Sequence, residues 1–177
     1  NDVHCAADTN IGYAGLSAYK QSIEAKSKYV TLVDVGDAVQ GDYVGTVSKG
    51  AFSSELMSAV GYDLAVLGNH EFDYGMEQLS SLISSSNASY LGCNITYSGS
   101  GNGIVSQLKP YEIISYGKVD VAFIGVSTPE SITDSTPSNF MENGEFVYDF
   151  ATGEDGQTLY DTVQRNIDEC KDKGAEY

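Results

Sequence analysis

Two short runs of β-branched and aliphatic residues, Tyr29-Val30-Thr31-Leu32-Val33 and Leu64-Ala65-Val66-Leu67, each give way to a polar loop that turns on a glycine. Runs this short, bounded by turn formers, read as buried strands rather than helices. Between them Phe52, Leu56, Met57 and Val60 share one face of a helix that Gly61 is placed to stop. Strand, helix and strand in close succession predict an α/β architecture with parallel strands. Such sheets gather ligands outside the carboxyl ends of their strands. Function is therefore to be sought in the loops after Val35 and Leu67.

The remaining segments fit that frame. Leu16, Tyr19 and Ile23 mark an amphipathic helix over residues 14–28, and a glycine-rich loop follows the first strand through Gly45. After Gly68 to Asp73 a third helix presents Met76, Leu79, Leu82 and Ile83, and a strand-like run spans Tyr90 to Ile95. A Gly, Ser and Asn stretch from Ser98 to Ser106 comes next. Tyr111 to Tyr116 and Val119 to Val126, joined at Gly117-Lys118, form a predicted hairpin. Thr128 to Gly153 is low in periodicity and rich in turn formers. A last helix places Leu159, Val163, Ile167 and Cys170 on one face, with Gly174 as its cap. With no internal repeat and no linker, residues 1–177 read as one domain or part of one.

Composition narrows the partners. Nine Lys and Arg against 25 Asp and Glu leave a net charge of −16, which opposes binding to a nucleic-acid polymer or an anionic membrane. A small anionic substrate stays compatible, because bound divalent cations reverse the potential within a site. No uninterrupted apolar run reaches the roughly 18 residues of a transmembrane segment. Cys5, Cys93 and Cys170 are odd in number and widely spaced, which suits buried small side chains better than a disulfide framework or a metal knuckle. The chain begins Asn1-Asp2-Val3-His4, so an export signal is expected to have been removed or left out. Asn87-Ala88-Ser89 and Asn94-Ile95-Thr96 match the short glycosylation acceptor pattern, which also arises often by chance.

The candidate chemistry lies in Asp2 and His4 at the start, Asp37 after the first strand, and Asn69 and His70 after the second. Oxygen and imidazole donors of this kind suit Zn, Mn, Fe or Mg, and one carboxylate such as Asp37 can bridge two cations. Two cations about 3.5–4 Å apart clamp a phosphoryl group and acidify water for in-line attack. A histidine that is not a ligand can assist if a carboxylate orients its other nitrogen, and His70 with Asp73 has that composition. The plainer roles are turns and helix caps for Asp2, Asp37, Asn69 and Asp73, and ordinary hydrogen-bonded histidines for His4 and His70. Asp34, Asp42 and Glu71 share the same loops and are read as supporting or solvated residues outside the site.

Asp2-Val3-His4, Gly36-Asp37 and Gly68-Asn69-His70-Glu71 are similar, in order and rough spacing, to the DxH, GD and GNHE blocks of calcineurin-like metallophosphoesterases. Gly68 to Gly75, the Asp42 loop after Gln40-Gly41, and Gly125-Val126-Ser127-Thr128-Pro129 resemble the 5′-nucleotidase branch. The resemblance implies a layered α/β/β/α sandwich of which residues 1–177 are the N-terminal part, incomplete at both ends. It implies two divalent metal ions, with Asp2 and His4 on one, Asp37 bridging, and Asn69 on the other. His70 and Asp73 become the catalytic dyad.

The implied substrate is a nucleotide, cleaved by a 5′-nucleotidase, a cyclic nucleotide phosphodiesterase or 3′-nucleotidase, or a nucleotide-sugar hydrolase. The implied location is extracellular, cell wall or periplasmic, and a C-terminal substrate domain is expected but absent here. The family's later lone histidine and its GHxH block are not found, His4 and His70 being the two histidines present. Lys173-Gly174-Ala175-Glu176-Tyr177 resembles the lead into the strand that carries the next histidine. These residues alone are therefore expected to be inactive, and the competing reading is a catalytically inactive binding or wall-associated module on the same fold.

Overall fold

The apolar runs that announce the strands also decide the packing. The computed structural model describes residues 1–177. In chain order the elements are α1 (Gly12–Glu24), β1 (Val33–Asp34), α2 (Tyr43–Ser48), α3 (Ala51–Val60), β2 (Leu64–Val66), α4 (Met76–Ser85), β3 (Ser89–Leu91) and β4 (Thr96–Tyr97). There follow β5 (Tyr111–Tyr116), β6 (Val119–Ile124), α5 (Ser131–Asp134), β7 (Met141–Glu142), β8 (Glu145–Phe146), β9 (Tyr148–Asp149) and α6 (Gln157–Asp172). β1, β2 and β3 form a parallel sheet in that order, with Val33 opposite Leu64 and Leu64 opposite Ser89. The expected α/β class is therefore present.

β5 and β6 pair without a slip from Tyr111–Ile124 to Tyr116–Val119. Gly117 at φ +78° opens the two-residue turn, as that hairpin geometry requires. The hairpin region is tied to β3 by the Gly92 N–H on the Lys109 carbonyl and the Cys93 N–H on the Gly125 carbonyl, both 2.8 Å. Gly125 has to be glycine there: a Cβ would lie 2.4 Å from the Leu91 carbonyl carbon. α6 packs on β6, but its buried positions are Thr162, Asn166 and Cys170, with Leu159, Val163 and Ile167 half-buried, so the face is rotated from the one its apolar periodicity predicts.

Two apolar clusters meet at α4. Leu82 joins Tyr13, Val39, Met57, Val60 and Tyr62 on one side. Leu79 and Ile83 join Ala65, Leu67, Phe72, Tyr90, Phe140 and Phe150 on the other. Within the second cluster Phe72, Phe140 and Phe150 form a triangle with ring centroids 5.0, 5.7 and 5.9 Å apart. Phe72 belongs to the turn that carries His70 and Asp73, so this aromatic core is the floor of the candidate site.

The structure departs from sequence expectation in places that have physical causes. Ladder pairing of the first strand starts only at Val33, because the Leu32 N–H is taken by the Asp63 carboxylate at 2.7 Å. α1 starts two residues before the predicted helix and stops at Glu24 rather than Lys28. The glycine-rich loop after β1 contains a helix, α2, opened by the Asp42 carboxylate accepting from the Tyr43 N–H at 2.6 Å and closed by left-handed Lys49. The run predicted from Tyr90 to Ile95 leaves the sheet at Leu91, because fully buried Asn94 turns inward to bond Ser127 and the Phe150 carbonyl. That burial closes Asn94 as a glycosylation acceptor, whereas Asn87 is exposed. The turn-rich stretch 128–153 holds α5 and three short strands and supplies Phe140, Tyr148 and Phe150 to the core. Cys5 and Cys170 are buried and Cys93 half-buried, all as free thiols.

Phe140 is fully buried against Phe72. Phe140→Ala is expected to cost about 3–5 kcal/mol in denaturant unfolding, the range for emptying a buried aromatic site. A loss below about 1 kcal/mol would mean that the triangle does not support the fold in this way.

Candidate metal centre

The loops after β1 and β2 cross in direct backbone contact. A Cβ on Gly36 would sit 2.3 Å from the Gly68 nitrogen, and one on Gly68 would sit 2.4 Å from the Asp37 carboxylate, so both positions exclude any larger residue. The loops are locked by Glu71. Its Oε2 accepts the Asp37 N–H at 2.7 Å and the Gly68 N–H at 2.8 Å, and its Oε1 accepts the Ala38 N–H at 2.8 Å. The side chain is buried, and burial pushes its carboxyl up to about 7 against the pull of the Asp37 and Ala38 donors, which favour the anion. Glu71, expected among supporting or solvated residues, does support the site and is not solvated. Asp34 is also buried, accepting the Gly36 N–H at 3.0 Å, while Asp42 serves as the cap of α2.

The N-terminal block is laid along the first of these loops. The N–H groups of Asp2, His4 and Cys5 donate to the carbonyls of Gly36, Asp37 and Ala38 at 2.8, 3.0 and 3.2 Å. Asp2, His4 and Asp37 are thereby brought together, with one ligand atom from each within 4.8 Å of the others. Their backbones share a left-handed conformation, φ +57°, +44° and +58°, and non-glycine residues held there concentrate at functional sites. The loop bearing Gln40-Gly41 closes on the same histidine, since a Cβ on Gly41 would lie 2.2 Å from the His4 carbonyl.

The donor set fits a divalent cation. His4 Nδ1 lies 3.0 Å from the Gln40 carbonyl, which only accepts, so Nδ1 carries the proton and Nε2 keeps a lone pair. Nε2 in turn faces Asp2 Oδ1 at 3.1 Å. Two lone-pair donors held that close repel unless a proton or a cation lies between them. Asp37 Oδ1 accepts the His70 N–H at 3.0 Å, which leaves its other oxygen for a ligand.

The second loop carries the other predicted residues. Asn69 begins the turn, half-buried, and its amide donates to the Asp134 carbonyl at 3.2 Å, so its own Oδ1 is free to coordinate. No hydrogen bond joins it to Asp2, His4 or Asp37; the link between this turn and that group is the next residue, His70, whose N–H bonds Asp37. His70 Nδ1 donates to Asp73 Oδ2 at 2.7 Å, and the His70 ring stands edge-on to that of His4 with centroids 5.0 Å apart. Burial lowers the His70 pKa, but the Asp73 hydrogen bond and the charges of Asp73, Asp37 and Glu71 outweigh it and leave the pKa raised. The Gln40 carbonyl, Ser135 and Asn139 join the site without having been expected there. Ser135 Oγ donates to Asp73 Oδ1 at 2.6 Å, and the Asn139 amide donates to the Phe72 carbonyl at 2.8 Å. Nothing in a turn-rich stretch more than 60 residues downstream signals these contacts.

The chain is similar to known proteins over these same elements. The family model for calcineurin-like phosphoesterase matches residues 1–166. The 5′-nucleotidase of Bos taurus is 37% identical over 128 residues, 71% of this chain and 22% of that protein. The structure of a 5′-nucleotidase precursor from Thermus thermophilus superposes with a TM-score of 0.75 at 24% identity, over 93% of this chain and 30% of that one. The Haemophilus influenzae NAD nucleotidase gives 0.73 at 25% identity, over 92% and 30%. The chain thus spans under a third of the length of each.

A glutamine at position 71 would keep the volume but turn an NH2 group toward at least one N–H donor. Glu71→Gln is expected to cost about 1–3 kcal/mol by thermal unfolding of the metal-free protein. It is also expected to weaken cation binding about 10–100-fold by metal titration. Unchanged stability and affinity would remove Glu71 from this role.

Proposed function

Since the chain belongs to the calcineurin-like phosphoesterase family, we propose that its protein hydrolyses phosphate esters of nucleotides at a centre of two divalent cations. The observation that carries the reading is the convergence of Asp2, His4 and Asp37 within 4.8 Å, with the His70–Asp73 pair on the adjoining loop. Asp2 and His4 would hold one cation, Asp37 both, and Asn69 Oδ1 the other. Such cations would supply Lewis acidity toward a phosphoryl oxygen and lower the pKa of water.

The chain's own residues do the rest of the positioning. The Gln40 carbonyl fixes the His4 ring with Nε2 toward the site. Asp73 fixes the tautomer of His70, so that Nε2 is the nitrogen left to hydrogen-bond a phosphoryl oxygen or give a proton to the leaving oxygen. A nucleoside 5′-monophosphate is the first substrate to test, since the Bos taurus relative is a 5′-nucleotidase. Cyclic nucleotides, nucleotide sugars and dinucleotides follow, the last because a Haemophilus influenzae neighbour is an NAD nucleotidase.

Two shells need more donors than Asp2, His4, Asp37 and Asn69 supply, so the rest of the protein would provide the remainder, and residues 1–177 alone would turn over no nucleotide. No helix of the structure is long and apolar enough to cross a membrane. The location proposed from the family resemblance is outside the cytoplasm.

In the full-length protein, Asp37→Asn is expected to abolish AMP hydrolysis with the circular dichroism spectrum unchanged; activity above roughly a tenth of wild type would count against a bridging carboxylate. His70→Ala is expected to lower kcat about 10²–10⁴-fold at unchanged metal content, the range for a positioned acid. Loss of metal in that variant would recast His70 as a ligand.

A further inference from the structure

The turn that carries His70 and Asp73 is gripped from one side by a single segment, residues 134–139. The Asp134 carbonyl accepts from the Asn69 amide at 3.2 Å, and Ser135 Oγ donates to Asp73 Oδ1 at 2.6 Å. The Asn139 amide donates to the carbonyls of Phe72 and Asp73 at 2.8 and 3.3 Å. The segment thus holds Asn69 at the start of the turn and Phe72 and Asp73 at its end, with His70 and Glu71 between them. It is itself anchored: the Ser135 N–H bonds the carbonyl of fully buried Ser131 at 3.2 Å, and Phe140 next in sequence sits in the aromatic core.

The contact to Asp73 bears on the chemistry. One carboxylate oxygen receives His70 Nδ1 at 2.7 Å and the other receives Ser135 at 2.6 Å. A carboxylate with a single partner can swing about its terminal torsion, which is broad and soft, and carry the imidazole with it. One held at both oxygens cannot. We infer that Ser135 is a positioning residue for this reaction, fixing the Asp73 carboxylate and through it the direction of His70 Nε2. The inference rests on the function proposed above. The hydrogen bonds of Ser135 reach Asp73 and Ser131 and none of Asp2, His4, Asp37 or Asn69, so its effect is expected in the turnover step and not in metal binding.

The test uses the full-length protein with AMP and p-nitrophenyl phosphate. Ser135→Ala is expected to lower kcat about 10–100-fold, as the loss of a supporting hydrogen bond to a functional residue does, with KM and metal content unchanged. Ser135→Thr keeps the hydroxyl donor and is expected to restore the rate. A second readout is independent of turnover: the Nδ1 proton resonance of His70, identified by its loss in His70→Ala, should shift or broaden in Ser135→Ala and return in Ser135→Thr.

Full kcat in Ser135→Ala, a rate loss with an unmoved resonance, or a change in KM or metal content alone would each overturn the inference. If Ser135→Ala fails to fold, Ser135→Cys keeps the volume with a weak donor, and full kcat there would overturn it equally. A wild-type protein that hydrolyses neither compound would sink the proposed function, while the resonance would still decide whether Ser135 positions His70.

Discussion

The centre depends on one buried carboxylate. Glu71 takes three backbone N–H groups from two loops that have no covalent reason to meet, and the glycines at 36 and 68 let those loops touch at a distance no side chain permits. Every other placement hangs on this tie. The N-terminal block reads its position from the carbonyls of residues 36–38, which the Glu71 bonds immobilise from the opposite, donor side of the same stretch. His70 precedes Glu71 directly and lends its own N–H to Asp37. A charge removed from water is costly unless hydrogen-bonded, and three N–H donors are what make this one tenable.

The tie also concentrates like charge. Asp34 at the end of β1 and Asp2, Asp37, Glu71 and Asp73 on the two loops and the N-terminal block lie in a chain of net charge −16, with no Lys or Arg among the hydrogen-bond partners of the site. Such a cluster repels itself in the absence of cations, and divalent ions would convert that repulsion into binding free energy. The left-handed backbones of Asp2, His4 and Asp37 add strain that only the surrounding ladder of hydrogen bonds maintains. Order in the centre and occupancy of the centre would therefore be coupled: the same groups that give the loops their poor electrostatics would give a loaded site its affinity.

Much of this was legible in the sequence where the signal is local. The Gly61 stop of α3 with Met57 and Val60 on its buried face, the registered hairpin of β5 and β6, and the polar loops at the ends of β1 and β2 are each written within about a dozen neighbouring residues. Phe52 of the predicted α3 face, however, is exposed, and Ser53 and Ser54 are buried instead. Asp2, His4 and Asp37 were identifiable by type and order, and the fold brings them together. Three things were hidden. α2 was masked because Gly41 and Gly45 look like loop formers, whereas they are small so that His4 and Cys5 can approach them. Glu71 reads from sequence as a supporting or a solvated acid without a choice between them, because its partners are backbone groups, which no side-chain pattern reports. The 128–153 stretch has no period because its core residues, Phe140, Tyr148 and Phe150, come from separate short strands and turns rather than from one face of one element.

That hidden stretch divides the labour of the site. The candidate ligands Asp2, His4 and Asp37 are fixed by the Glu71 tie and by ladder bonds within the first 71 residues. The His70–Asp73 pair belongs to the same turn but takes its outer support from residues 134–139, which rest on the aromatic triangle. A site built with one support would transmit any disturbance to cation and acid alike. With two, cations would be held mainly by one half of the structure while the imidazole is aimed mainly by the other, and the two meet in the turn itself, where the His70 N–H touches Asp37, Glu71 ties the first loop and Asn69 bonds the Asp134 carbonyl. Positioning to within a fraction of an ångström is what separates a bound phosphoryl group from a reacting one. A fold that sets ligand distance and proton direction by largely separate contacts can change one with limited effect on the other.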